Sequence, residues 1–209
     1  TLGCGGTLLK HRDAGDEVFW IIVTKANEPQ WSGEMIEKKK GEIKAVSEAY
    51  GFADYVVLGY PAAQLDSVPK QDLIQSTADA VSKIQPETVY VVHGGDVHSD
   101  HSAVFNSTMS ALKPAYMSRM NVRRILCQET LSSTEAAPPN INPTFVPTVF
   151  SDITPFLDRK LEIMDLYATE AQADPMPRGP SAIRSLARYR GATIGVEYAE
   201  AFMLMRELV

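Results

Sequence analysis

An alternation narrows the fold more than any other feature of this chain. Short runs rich in β-branched and aromatic residues, EVFWIIVT from Glu17, DYVVL from Asp54 and TVYVV from Thr88, are separated by longer segments of helical period. Runs of that content read as buried strands. A strand, then a helix, then another strand calls for a crossover, which sets the strands parallel and lays helices over the sheet. The expectation is an α/β fold: a Rossmann-like, doubly wound, mostly parallel sheet with helices on both faces, in a single domain over residues 1–209.

Taken in order, a glycine-rich opening, LGCGG, leads a short helix through Leu8 and Leu9 that closes at Gly15. Glu34 to Tyr50 has helical period through Met35, Ile36, Ile43, Val46 and Ala49, and Gly51 stands where a left-handed terminating residue belongs. Gln71 to Ile84 is the next helix, stopped at Pro86. His101 to about Ala111 is expected helical, ending before Pro114, and Arg123 to Gln128 is expected as a strand. Leu131 to Thr148, rich in Ser, Asn and Pro, reads as a long loop, and substrate contacts are placed there because long ordered loops usually carry function. Asp152 to Glu170 reads as a helix, Pro175, Pro177 and Pro180 stiffen a linker around Arg178, and Ala182 to Tyr189 is helical. Ala199 to Met205 is strand or helix, since periodicity cannot decide over so few residues.

Composition removes several classes of function. Hydrophobic residues at 44% and charged residues at 22% suit a globular domain and exclude a disordered or fibrous chain. The net charge is −6 and the one basic run is Lys38 to Lys40, which reads as a solvated helix face, so no nucleic-acid partner is expected. Cys4 and Cys127 lie far apart without a CxxC spacing, which argues against a disulfide framework or a thiolate metal site and suits a reducing, cytoplasmic setting. No apolar run approaches the ~20 residues of a membrane span.

Three of the four histidines, His93, His98 and His101, fall in the loop after the Thr88 strand, with Asp96 and Asp100 between them. In open α/β sheets ligands bind beyond the carboxyl ends of the strands, which is where this loop would lie. Asp100 is expected as the N-cap of the following helix and His101 as its first residue, where the helix dipole keeps an imidazole neutral and able to ligate a metal. Capping and lining of a polar loop is the alternative for an isolated His-x-x-His. One loop does not complete a zinc site, because catalytic zinc takes about three protein ligands. The glycines by themselves suggest a phosphate cradle, but GCGG without a preceding strand is a weak dinucleotide fingerprint. A doubly wound domain opens on a strand, so an apolar strand is expected upstream of Thr1.

Several segments together resemble one family. TLGCGGTLLKHRDAGDEVFWIIVT looks like the stretch that follows the AHPDDE motif of the LmbE-like, PIG-L-type de-N-acetylases, which include N-acetylglucosaminylphosphatidylinositol deacetylase. HSDH at His98 to His101 resembles the family's HPDH motif, and ETLSSTE from Glu129, PRGPSAIRSLARYRG from Pro177 and GVEYAEAF from Gly195 also match.

The resemblance implies zinc-dependent hydrolysis of an N-acetylated sugar or sugar conjugate, yielding acetate and an amino sugar, with zinc or another divalent ion as cofactor and with room for a homo-oligomer. It implies that His101 ligates the metal, and that His98, as imidazolium, polarises the acetyl carbonyl and is oriented by Asp100. It assigns the remaining ligands and the general base to the AHPDDE motif, which is not within these residues. Lys39 stands where many relatives carry an arginine ahead of Glu42. With Glu129 and Arg178 it makes up the expected substrate-binding set. A nucleotide-binding module and a catalytically inactive relative are the alternative readings.

Overall fold

A computed structural model describes residues 1–140 and 143–209. The fold is mixed α/β, and the chain divides into two compact units, one formed by Thr1–Ile22, Ala26–Val56 and Phe150–Ala201, the other by Val23–Lys25, Val57–Val149 and Phe202–Val209.

The elements run α1 (Gly5–Asp13), β1 (Phe19–Lys25), α2 (Gly33–Tyr50), β2 (Asp54–Pro61), α3 (Lys70–Ile84), β3 (Thr88–Val92), α4 (Ser99–Ala111), α5 (Pro114–Arg119), β4 (Arg124–Gln128), β5 (Val149–Asp152), α6 (Leu157–Leu166), α7 (Pro180–Ala192) and β6 (Ala199–Glu207). Strand and helix alternate through α4, as the sequence pattern requires. Among the described residues the hydrogen bonding forms two sheets, a β1–β2 pair and a four-stranded sheet in the order β3-β4-β6-β5. β3 and β4 are parallel, with Val92 opposite Gln128, whereas β4 and β6 are antiparallel with an irregularity at Ile125 and Leu126. The sheets are small and, in the four-stranded one, mixed in direction.

In the first unit Val46, Tyr50 and Ile163 form a buried cluster with Leu8, Leu9, Trp20, Phe52 and Tyr167 against it. Tyr50 stacks on Phe52 with ring centres 4.9 Å apart. α2 ends as expected on Gly51, at φ +68°, a left-handed conformation that side chains resist. The opening glycines are not a cradle. Gly5 and Gly6 lie inside the first turn of α1: a Cβ on Gly5 would collide with the Tyr50 hydroxyl, and one on Gly6 would meet the Ile153 side chain at 2.8 Å. They are small so that the helix can approach its neighbours.

Glu200 ties this packing together. Its buried carboxylate accepts from the amides of Gly6 (2.9 Å) and Thr7 (2.7 Å), from the Thr7 hydroxyl (2.6 Å) and from Lys160 Nζ (2.7 Å). It thereby satisfies free N–H groups at the start of α1 and opposes their partial positive charge.

In the second unit Val91 of β3, Ile125, Leu126 and Cys127 of β4 and Phe202 of β6 are buried, and α4 lies against both β3 and α3. One expectation changes, and two segments that the sequence left open take form. Residues 149–152, read as the end of a loop and the start of a helix, form β5, and α6 begins only at Leu157 after a 3₁₀ turn over Thr154–Phe156. α5 follows Pro114, because proline at a first helical turn fixes φ and lacks only an N–H that would be unpaired there. Ala199–Glu207 is a strand. Of the Leu131 to Thr148 loop, Ile141 and Asn142 lie outside the described residues.

Candidate active site

The histidine loop is built by close approach. His93 follows the end of β3 and is buried; its Nε2 lies 2.9 Å from the Pro143 carbonyl oxygen, which can only accept, so this nitrogen carries the proton. Its Nδ1 faces the Cys127 thiol at 3.6 Å. Gly94 and Gly95 leave no room for side chains: a Cβ on Gly94 would overlap the Phe105 ring, and one on Gly95 the Pro143 carbonyl. Burial pushes the Cys127 thiol up to about 12, so it is an inert core group and no nucleophile.

α4 starts earlier than expected, and its N-cap is His98, not Asp100. The ring of His98 accepts the Asp100 amide at Nδ1 (3.2 Å), while the Asp100 carboxylate is committed elsewhere, to the amides of Ala63 (2.6 Å) and Leu65 (3.1 Å). Ala63 is held at φ +59°, and Asp100 anchors that left-handed turn after β2. His98 thus meets Asp100 through its backbone. Because an N–H donates into Nδ1, protonating that atom would set donor against donor. That leaves the other ring nitrogen of His98, Nε2, to carry a proton.

His98 is exposed, and its ring stacks on that of His101, 4.7 Å between centres and 18° from parallel. Behind them stands Asp96, whose side chain is fully buried. Oδ1 of Asp96 accepts the His98 amide at 2.8 Å, and Oδ2 accepts the hydroxyls of Ser133 and Thr134, each at 2.8 Å. Oδ2 also lies 3.0 Å from Nδ1 of His101. That nitrogen is buried and makes no well-aligned hydrogen bond, so the contact is a close approach of charge and ring rather than a linear N–H···O bond. Burial by itself would raise the Asp96 carboxyl. The donors from His101 and the His98 amide, the charge of His101 and the Ser133 hydroxyl outweigh it and hold the group at about 2.

Glu129, half-buried, directly follows β4, at the same end of the parallel pair as the histidine loop. Lys39 and Arg178 meet in the first unit, on opposite oxygens of Glu170, at 2.7 Å and 2.6 Å. Glu42 accepts from the amide and hydroxyl of Thr169 beside them. Asp96, Ser133 and Thr134 carry no assignment from the sequence. Their signals there were the interleaving of Asp96 with the histidines and the place of Ser133 and Thr134 within ETLSSTE.

The donor set fits a metal in part. His101 turns Nδ1 toward Asp96 and leaves Nε2 for a ligand, but among the described residues no three His, Cys, Asp or Glu side chains converge.

Residues 1–112 match the PIG-L family, described as GlcNAc-PI de-N-acetylase. The chain belongs to that family. No curated protein matches the sequence. Among solved structures, this PIG-L family chain is similar to the conserved protein TT1542 from Thermus thermophilus, at 25% identity and a TM-score of 0.77 over 100% of this chain and 90% of that one. It is also similar to the N,N′-diacetylchitobiose deacetylase of Pyrococcus horikoshii, at 19% identity and a TM-score of 0.75 over 98% and 79%. The A40926 pseudoaglycone deacetylase is 16% identical, with a TM-score of 0.72 over 100% and 93%. The last two likenesses are of fold. Among the described residues no helix is long and apolar enough to cross a membrane.

Proposed function

We propose that this protein is a zinc-dependent N-deacetylase that hydrolyses the acetamide of an N-acetylated sugar or sugar conjugate, releasing acetate and an amino sugar. The observation that carries the reading is the pair of stacked imidazoles at the start of α4, with an anionic carboxylate buried behind one of them, in a chain of the PIG-L family. Two of the similar structures are named an N,N′-diacetylchitobiose deacetylase and an A40926 pseudoaglycone deacetylase, which accords with it.

In this reading His101 supplies one ligand through Nε2. Zinc, when bound, supplies Lewis acidity and an activated water. His98 donates its Nε2–H to the acetyl oxygen, and because the Asp100 amide fixes the ring the donor is aimed before substrate arrives. Such a preorganised donor contributes ~3 kcal/mol to the tetrahedral transition state. Asp100 serves by holding the turn at Ala63 against the helix start. Lys39, Glu129 and Arg178 make up the substrate-contact set, with Lys39 and Arg178 acting as a unit because Glu170 bridges them. The Rossmann-like, doubly wound arrangement belongs to the same reading and rests on the parallel β3–β4 pair and the alternation through α4.

The test is to incubate the zinc-loaded full-length protein with a panel of N-acetylhexosamines and their conjugates and to measure acetate. Release from at least one supports the reading. Release from none of them counts against it.

A further inference from the structure

Asp96 has no role in the chemistry proposed for this site, yet its carboxylate is the most fully engaged group of the loop. Three donors and a ring nitrogen surround it: the His98 amide on Oδ1, Ser133 Oγ and Thr134 Oγ1 on Oδ2, and His101 Nδ1 at 3.0 Å from Oδ2 without an aligned hydrogen bond. The Thr134 hydroxyl also accepts the Thr130 amide at 2.8 Å. Asp96 is an ionised carboxylate with no proton to give, so Oδ2 is an acceptor toward every neighbour. A bare lone pair on His101 Nδ1 at 3.0 Å from that oxygen would be repelled, whereas an N–H there is attracted.

We infer that Asp96 is a positioning residue that commits His101 to the Nδ1–H tautomer and so presents its Nε2 lone pair to the site, with Ser133 and Thr134 of the turn after β4 holding the carboxylate in place. Carboxylates behind metal-binding histidines fix both tautomer and ring orientation in this way. The Thr130–Thr134 turn is shaped for the task. Ser132, at φ +78°, reverses the chain there, and the two hydroxyls that follow it both point at Asp96. Use of the Nε2 lone pair by a metal rests on the deacetylase reading. The orientation of the ring does not.

The test uses the full-length protein labelled with ¹⁵N-histidine, metal-free and above the pH at which its histidines titrate, read by long-range ¹H–¹⁵N correlation. Wild type is expected to show His101 as the Nδ1–H tautomer, the minor form of an imidazole free in water. Asp96→Ala is expected to return it to the Nε2–H form and to weaken zinc binding, measured by competition with a chelator, by about 10–100-fold. An Nε2–H tautomer at His101 in wild type overturns the inference, and so does a folded Asp96→Ala protein with tautomer and zinc affinity unchanged. If Asp96→Ala does not fold, the wild-type spectrum decides. A deacetylase assay that fails while the Nδ1–H tautomer is present counts against the proposed function and leaves this inference standing.

Discussion

Replacing Glu200 by glutamine keeps the shape of the side chain and removes only its charge and one acceptor. In the structure Oε1 serves Gly6 N–H and Lys160, while Oε2 serves Thr7 N–H and the Thr7 hydroxyl. An amide has a single oxygen, so in either orientation its NH₂ confronts two donors. The cheaper choice turns the NH₂ toward Thr7, whose hydroxyl can rotate away, and strands one buried N–H at a cost of ~1–3 kcal/mol. Lys160, whose side chain is 4% exposed, then lacks its counter-charge in either case. Breaking a buried pair by removing one partner costs ~3–5 kcal/mol, and since both penalties arise from one carboxylate they overlap rather than add. Glu200→Gln should therefore lower stability by ~3–5 kcal/mol, and Thr7→Ala, which deletes one neutral donor, by ~1 kcal/mol. Urea unfolding followed by circular dichroism measures both. Adding Lys160→Met to Glu200→Gln should recover part of the loss, because the uncompensated charge goes with it. A Glu200→Gln protein within ~1 kcal/mol of wild type would refute the reasoning.

Gly95→Ala should destabilise by at least ~1–3 kcal/mol in the same assay, because its Cβ meets a backbone carbonyl that cannot move aside, and a value near zero would show that the loop is not held against Pro143. The depressed Asp96 carboxyl adds stability that is complete above the ordinary carboxylate pKa near ~4 and is lost as pH falls through about 2. The stability gap between wild type and Asp96→Asn should therefore close as the pH falls from ~4 toward about 2, and a gap that stays constant or widens over that range contradicts the account. His98→Ala should keep zinc and lose about a hundredfold or more in kcat, whereas His101→Ala should lose tight zinc; equal metal loss in both would make His98 a ligand.

What the sequence revealed of the fold was local. α2, α3 and β3 were legible because their signals are local: helical period and Gly51 for α2, helical period and Pro86 for α3, and a β-branched run for β3. β5 was not, because VFSD becomes a strand only beside β6, which lies far along the chain. Asp152 and Thr154 imitate a helix start, with the Asp152 carboxylate accepting the Thr154 amide and hydroxyl, and this drew the expected helix boundary forward. The site divides along the same line. The clustering of His98 and His101 was visible, but Asp100 could be recognised as an anchor for residues 63 and 65 only in three dimensions, and its engagement there left the cap to His98. Asp96 depends on Ser133 and Thr134, more than thirty residues away, so no local pattern announces it.

The central claim is that this chain removes an acetyl group by hydrolysis at the His98–His101 pair. Its most direct test follows a ¹³C-acetyl-labelled N-acetylhexosamine conjugate by NMR with zinc-loaded full-length protein, wild type beside His101→Ala, counting acetate and free amine together. The account predicts equal molar amounts of the two products from wild type and none above background from His101→Ala. Labelled substrate left intact by wild type, or released equally by both proteins, would contradict it.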